Sequence, residues 1–304
     1  MLSAKRMDRI TESNGINYTI AGGFLSGLFD GKGRPSSLEV ALSGTQERPG
    51  VLDYLRSRPE HDHYEPRLEG LRRNAELSAR QLKRRGHREP VFLASLENLS
   101  IDEASAIILY TDDGGPYKIL NSLLRASNRE EVKPFIEYLW LLMHGLSRCP
   151  RPTEPVVYRG ITEHVDTENS YVVDGDVVWS AFSSCTTKMS VLTANDGFLG
   201  TTGARTVFHI TLTTNRARRI AHLSTYFGES EVLLPPNTVL RVQDVADQGH
   251  GLIIIQLLEE SCIDPILVFD DDIGNIFLMW SLTILMKRIQ QSFLILSAAY
   301  VILE

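Results

Sequence analysis

Glu229 and Glu231 stand two residues apart in YFGESEVLLPP, just ahead of an apolar run. A strand advances about 3.3 Å per residue and sends alternate side chains to opposite faces, so two such acids share a face roughly 6.6 Å apart. Two carboxylates on one face can divide one chemical task. Two other stretches carry chemistry at strands or strand ends: VVYRG, with Arg159 and Gly160, and WSAFSSCTT, with Ser184 and Thr186. Arg159 offers a planar fork of donors suited to phosphate. Gly160 lets the backbone approach a ligand closely. The hydroxyl of Ser184 both donates and accepts, so it can hold a carboxylate in one rotamer while Thr186 supports the strand. Each piece alone has an ordinary reading: a surface salt bridge, a serine-rich strand edge.

The elements that must position these residues follow from pattern. After Pro155 the chain breaks into short β-type runs, PVVYR, DVVWSAFSS, RTVFHITL, RRIAHL, SEVLL, TVLRVQDV and GLIIIQLL. Ahead of them the spacing gives helices: Ser100 and Glu103 form a capping box before AIILY, a short helix covers YKILNSLLR, and Phe135 to Leu146 is an apolar helix. Residues 1–98 read as a polar, partly helical extension with one clear helix, Pro66 to Arg85. There Leu68, Leu71, Ala75, Ala79 and Leu82 keep helical spacing and Gly86 lies just past the end. Helices followed by strands indicate an α+β fold.

Composition narrows the function. The 304 residues are 43% hydrophobic and 23% charged, enough for one or two soluble domains with a real core. A formal net charge of -7 argues against a broad electrostatic footprint for nucleic acid. Cys149, Cys185 and Cys262 show no metal-type CxxC spacing and read as reduced thiols. His61 and His63 are followed by no further ligands at zinc-like spacing, so no metal is expected. A P-loop and a GxGxxG after a strand are both missing from the sequence. MLSAKRMDRITESNG lacks the apolar run of a secretory signal, which gives a cytoplasmic expectation. In the hydrophobic stretch 261–304, the blocks Ile276 to Met286 and Phe293 to Leu303 are each shorter than the ~20 residues of a membrane span. That stretch reads as a docked helical extension, with a membrane anchor and a misassigned gene end as rivals.

In their order and distances, and with LYTDDGGPYKILNSLLR upstream, these motifs resemble the mono-ADP-ribosyltransferases of the arginine-serine-glutamate class, whose E-x-E motif accompanies modification of arginine. The resemblance runs from about Ile101 to Glu260 and implies a catalytic domain over 99–260. It implies a helical layer followed by two mostly antiparallel sheets, with NAD, or NADP, as co-substrate in the cleft between them. It places Arg159 on the pyrophosphate and ribose, the main chain of Gly160 on the nicotinamide carboxamide, and Phe198 against the nicotinamide ring. Tyr110, Tyr117 and Asn121 fall near the adenylate. Ser184 holds the carboxylate of Glu231, which binds the ribose 2′-hydroxyl. Tyr226, Phe227 and Glu229 form the substrate-recognition turn, with Glu229 receiving the acceptor guanidinium. Cys185 stands where the family usually has threonine. The implied activity is transfer of ADP-ribose from NAD to an exposed arginine of a protein partner. An NAD glycohydrolase and a non-catalytic NAD-binding module of the same fold are the alternatives.

Overall fold

Helices fill the first half of the described chain and strands the second. The computed structural model describes residues 37–61, 64–126, 128–193, 199–214, 216–225 and 230–261. His63, Cys262 and the hydrophobic stretch beyond residue 261 lie outside the described residues. The helices are α1 (Leu38–Ser43), α2 (Val51–Arg56), α3 (Glu65–Arg85), α4 (Pro90–Asn98), α5 (Ile101–Thr111), α6 (Tyr117–Arg125) and α7 (Ile136–Ser147). A 3-10 turn, Arg129–Phe135, leads into α7, and the five-residue α8 (Met189–Thr193) interrupts the strands.

Local chemistry accounts for the longer helices. Proline sits in the first turn of α3, Leu68, Ala75 and Ala79 are buried, and the amide of Gly86, at φ 67°, closes the end by donating to the carbonyl of Leu82 at 2.9 Å. Lys83, in the last turn of α3, donates to the carbonyls of Leu96 (2.5 Å) and Leu99, capping the end of α4. The capping box of α5 is complete. The amide of Glu103 donates to Ser100 Oγ at 3.1 Å, and the amide of Ser100 donates to Glu103 Oε2 at 2.8 Å.

The region ahead of residue 99 holds more structure than its polarity suggested. Beside the expected helix it forms α1, α2 and α4, and Leu38, Leu42, Val51, Leu55 and Leu96 enter the same core as Ile107, Leu120 and Leu139. Six-residue helices complete too few turns for a 3.6-residue period to stand out.

The strands are β1 (Val156–Ile161), β2 (Asp176–Trp179), β3 (Ser183–Thr186), β4 (Arg205–Thr211), β5 (Arg218–Arg219), β6 (Glu231–Leu234), β7 (Thr238–Asp247) and β8 (Leu252–Glu260). They form one hydrogen-bonded sheet in the order β2-β7-β8-β4-β1-β3-β6-β5, antiparallel except for the pair β4–β8. The two expected sheets are thus two halves of one, joined where β1 meets β3 through a single residue pair, Tyr158 with Thr186. Val157, Phe208, Ile210 and Leu257 from the five-stranded half and Cys185, Val232 and Leu234 from the three-stranded half share one core, so the halves pack face to face. Leu233 points the other way, into the core of the helical layer.

Two strand expectations are corrected. DVVWSAFSS is not one strand: β2 pairs with β7 at one edge and β3 with β6 in the other half, the chain leaving the strand at 180–182. Only Arg218 and Arg219 of RRIAHL are strand, because the following residues form a turn in which the amides of Leu223 and Ser224 donate to the carbonyl of Ile220. Among the described residues, no helix is long and apolar enough to cross a membrane.

Glu103 also ties α5 to α7. His144 Nδ1 lies 2.5 Å from its Oε1, and Arg148 bonds the same oxygen. Burial alone would raise this carboxyl, but the His144 contact, the Ser100 amide and the Arg148 charge together lower it to about 2 from an ordinary 4.5. A depressed folded value stabilises the fold fully above the unfolded value and loses that contribution as pH falls through the folded one. Glu103→Gln is therefore expected to destabilise the protein near pH 7 by about 1–3 kcal/mol. The gap from the unsubstituted protein should narrow between pH 4.5 and 2 in thermal unfolding. A gap that stays constant across that window would show that the charge is not what matters.

Candidate active site

Glu231 opens β6 directly opposite Thr186 of β3. Its diagonal neighbour on that face is Ser184, within reach of a long side chain. Ser184 Oγ donates to Glu231 Oε1 at 2.6 Å, and Ser224 Oγ donates to Oε2 at 2.6 Å. Glu231 is 1% exposed. A carboxylate removed from water to this degree needs strong donors, and short hydroxyl–carboxylate bonds are of that kind. Ser224 is a site residue that the sequence motifs do not reveal. It precedes Glu231 by seven positions, and only the pairing of Arg219 with Val232 and the turn after β5 bring it back alongside β6.

Arg159 lies on β1 between Val157 and Ile161 and is 7% exposed. Its Nη1 donates to the carbonyl of Ser184 at 3.2 Å, and its guanidinium carbon sits 5.7 Å from the centre of the Trp179 ring. A cation is thereby held against the backbone that carries Ser184, which ties Arg159 and Ser184 together. At Gly160 the near neighbour is Leu199: a Cβ there would lie 2.9 Å from Leu199 Cγ and Cδ2. The loop supplying Leu199 is held by Arg205, which donates to the carbonyls of Gly200 (3.1 Å), Gly203 (3.3 Å) and His250 (2.9 Å).

Tyr110, Tyr117 and Asn121 also come together, but inside the protein, at 3%, 1% and 2% exposure. Asn121 Nδ2 donates to Tyr110 Oη at 3.0 Å, and its Oδ1 accepts from the amide of Phe182 at 3.2 Å. The ring centres of Tyr110 and Tyr117 are 6.0 Å apart. Through these contacts the three residues hold one another and the chain at Phe182. Phe198, Tyr226, Phe227 and Glu229 lie outside the described residues. Ser230 has φ 48°. Ser230 thus lies outside the extended conformation that strand alternation requires, and β6 begins at Glu231.

The sequence matches, over residues 59–262, the family described as NAD:arginine ADP-ribosyltransferase. The chain belongs to this ADP-ribosyltransferase family. Comparison with curated protein sequences returns no match. Solved structures of similar fold include the Vis toxin of Vibrio splendidus, an ADP-ribosyltransferase (20% identity, 64% of this chain and 86% of that one, TM-score 0.43). The type III effector XopAI of Xanthomonas axonopodis pv. citri is another (16% identity, 73% and 94%, TM-score 0.48). A third is the eukaryotic mono-ADP-ribosyltransferase ART2.2 (17% identity, 73% and 91%, TM-score 0.47).

NAD-dependent transfer of ADP-ribose is the chemistry of this ADP-ribosyltransferase family, with NAD as co-substrate. The donor set here fits that molecule, with a guanidinium for a diphosphate and a fixed carboxylate to accept from a ribose hydroxyl. Among the described residues, no group of three or more histidine, cysteine, aspartate or glutamate side chains could hold a metal.

Cys185, between Ser184 and Thr186, turns to the opposite face, where its Sγ lies 3.7 Å from the carbonyl of Ser183. Burial pushes its thiol up to about 12 against the lowering effect of Arg159, and burial does the same to Cys149 against Ser95 and Arg218. The thiolate is the reactive form, so neither is nucleophilic at neutral pH. Iodoacetamide at about pH 8 should leave both unlabelled in the native protein and alkylate both after denaturation, as read by peptide mass spectrometry. Native labelling at Cys185 would mean that β3 is accessible, contrary to its burial.

Proposed function

We propose that this ADP-ribosyltransferase moves ADP-ribose from NAD, or NADP, to arginine side chains of a protein partner and releases nicotinamide, with Arg159, Ser184, Glu229 and Glu231 as its catalytic set. The observation that carries the reading is the doubly held carboxylate of Glu231, linked through Ser184 to the guanidinium of Arg159. Cleavage of the bond between ribose and nicotinamide develops oxocarbenium character at the ribose carbon, and a nearby carboxylate stabilises it, as in glycoside hydrolysis. Glu231 supplies that carboxylate by accepting from the 2′-hydroxyl, and Arg159 draws the diphosphate.

The finer part, arginine as acceptor, is supported by the E-x-E pair and the description of the matched family. A guanidinium is protonated at any working pH, so its proton must leave as its nitrogen bonds the ribose carbon. Glu229 pairs with the guanidinium and takes that proton, while nicotinamide departs with the electrons of the broken bond. Tyr226 and Phe227 recognise the acceptor beside it, and Phe198 and the Gly160 main chain serve the nicotinamide. We place this machinery within 99–260, in a protein whose transfer uses neither nucleic acid nor a metal.

The test is incubation with NAD and the arginine analogue agmatine, separating ADP-ribosyl-agmatine from free ADP-ribose and nicotinamide. Glu229→Gln should abolish adduct while retaining NAD hydrolysis, and Glu231→Gln should lower both by about 100-fold or more. Equal loss from the two changes would overturn the division of roles. Hydrolysis without adduct in the unsubstituted protein would make water the acceptor and the chain an NAD glycohydrolase.

A further inference from the structure

The last turn of α5 touches both supports of the Glu231 carboxylate. Thr111 ends that helix and is fully buried. Its Oγ1 accepts from the amide of Thr225 at 3.1 Å, and its carbonyl accepts from Thr225 Oγ1 at 2.8 Å. Thr111 Oγ1 in turn donates to the carbonyl of Ile108 at 2.9 Å, which fixes its rotamer. Thr225 is thus pinned through two atoms, and the next residue back is Ser224, 1% exposed, with its hydroxyl on Glu231 Oε2. The same segment is tied to β6 from below by the amide of Ile220 donating to the carbonyl of Glu231 at 3.0 Å.

The neighbouring residue of α5, Tyr110, reaches the other support. Its hydroxyl accepts from Asn121, whose carbonyl oxygen holds the amide of Phe182, two residues ahead of Ser184. Two adjacent residues of one helix end therefore set the chain on both sides of the carboxylate.

We propose that Ser224 is a second positioning residue for Glu231, held in place by Thr111; the inference rests on Glu231 being the residue that meets the ribose. The physical reason lies in the terminal torsion of glutamate, which is broad and only weakly constrained by the side chain itself. A single hydroxyl on one oxygen leaves the carboxylate plane able to turn about that torsion. Donors on both oxygens, from two separate chain segments, fix the plane and with it the direction in which the carboxylate meets a sugar hydroxyl. A group held this way needs no reorganisation when charge develops opposite it.

The experiment compares Ser224→Ala, Thr111→Val and Glu231→Gln, measuring nicotinamide release with agmatine for kcat and NAD affinity by titration calorimetry. Ser224→Ala should lower kcat by about 10- to 100-fold with the NAD Kd unchanged within about twofold. Thr111→Val, which keeps shape but removes the hydroxyl, should shift kcat the same way by about 3- to 10-fold. In a Glu231→Gln background, Ser224→Ala should add nothing further, since its effect passes through the carboxylate. A Ser224→Ala protein with kcat within about twofold of the unsubstituted enzyme overturns the inference while the transferase reading stands, provided Glu231→Gln is inactive. Loss of NAD affinity in step with kcat also overturns it, because that is the signature of a site that has merely loosened. If Glu231→Gln turns over as fast as the unsubstituted protein, the reading of Glu231 falls first and this inference with it. Should Ser224→Ala fail to fold, Thr111→Val decides the matter: a kcat loss at constant NAD affinity supports the inference, and an unchanged kcat overturns it.

Discussion

A carboxyl group buried to the degree of Glu231 is tolerated only if both its oxygens are met, and much of the surrounding architecture follows from that requirement. Ser184 comes from β3 and Ser224 from the turn after β5, so the glutamate must sit on the strand between them. The order β3-β6-β5 is the arrangement that provides this. β6 is buried on both faces: Val232 and Leu234 pack into the core between the half-sheets, while Leu233 packs against the helices. By alternation Glu231 belongs to the helical side with Leu233. A polar group on that side depends on how well the helical layer is placed.

That dependence explains the polar fastenings among the helices. Glu103 is at once the capping residue of α5 and the anchor for His144 and Arg148 of the α7 end, so the axis of α5 is set by charge as well as by packing. The far end of the same helix carries Tyr110 and Thr111, whose bonds reach the chain beside Ser184 and Ser224. Tertiary packing supplies most of a helix's stability, but apolar contacts are non-directional and tolerate small slips. Hydrogen bonds at each end of α5 do not, and they carry its position to the site.

How much of this was legible in the sequence depended on range. α3, α5, α6 and α7 could be read because period, caps and terminal glycine act within a few residues. α1 and α2 are too short to show a period, and their burial comes from distant partners. The strand run through DVVWSAFSS misled because Ala181 and Phe182 remain apolar after the strand ends, being buried with the helices and not in the sheet. Arg159, Ser184 and Glu231 lie in short motifs, and in the fold Ser184 is bonded to both of the others. Ser224 sits in no motif, and only strand register makes it a neighbour of the carboxylate. Asn121 was singled out by the resemblance as a residue near the adenylate, but its partners in the fold are a tyrosine and a backbone amide, neither of which a helical wheel reveals.

The E-x-E pair shows most clearly where reasoning from spacing stops. Two residues apart means one shared face only while the chain stays extended, and Ser230, at φ 48°, has left that conformation. A non-glycine residue there carries strain that the surroundings must hold, and the amide of Thr187 donating to the Ser230 carbonyl at 3.4 Å contributes to doing so. The carboxylate at 231 is therefore a feature of the sheet, fixed by register and by two serines. On the proposed reading, the labour of the enzyme is divided. Activation of NAD then falls to the carboxylate that the strand and the two serines hold, and choice of acceptor to Glu229 and its neighbours.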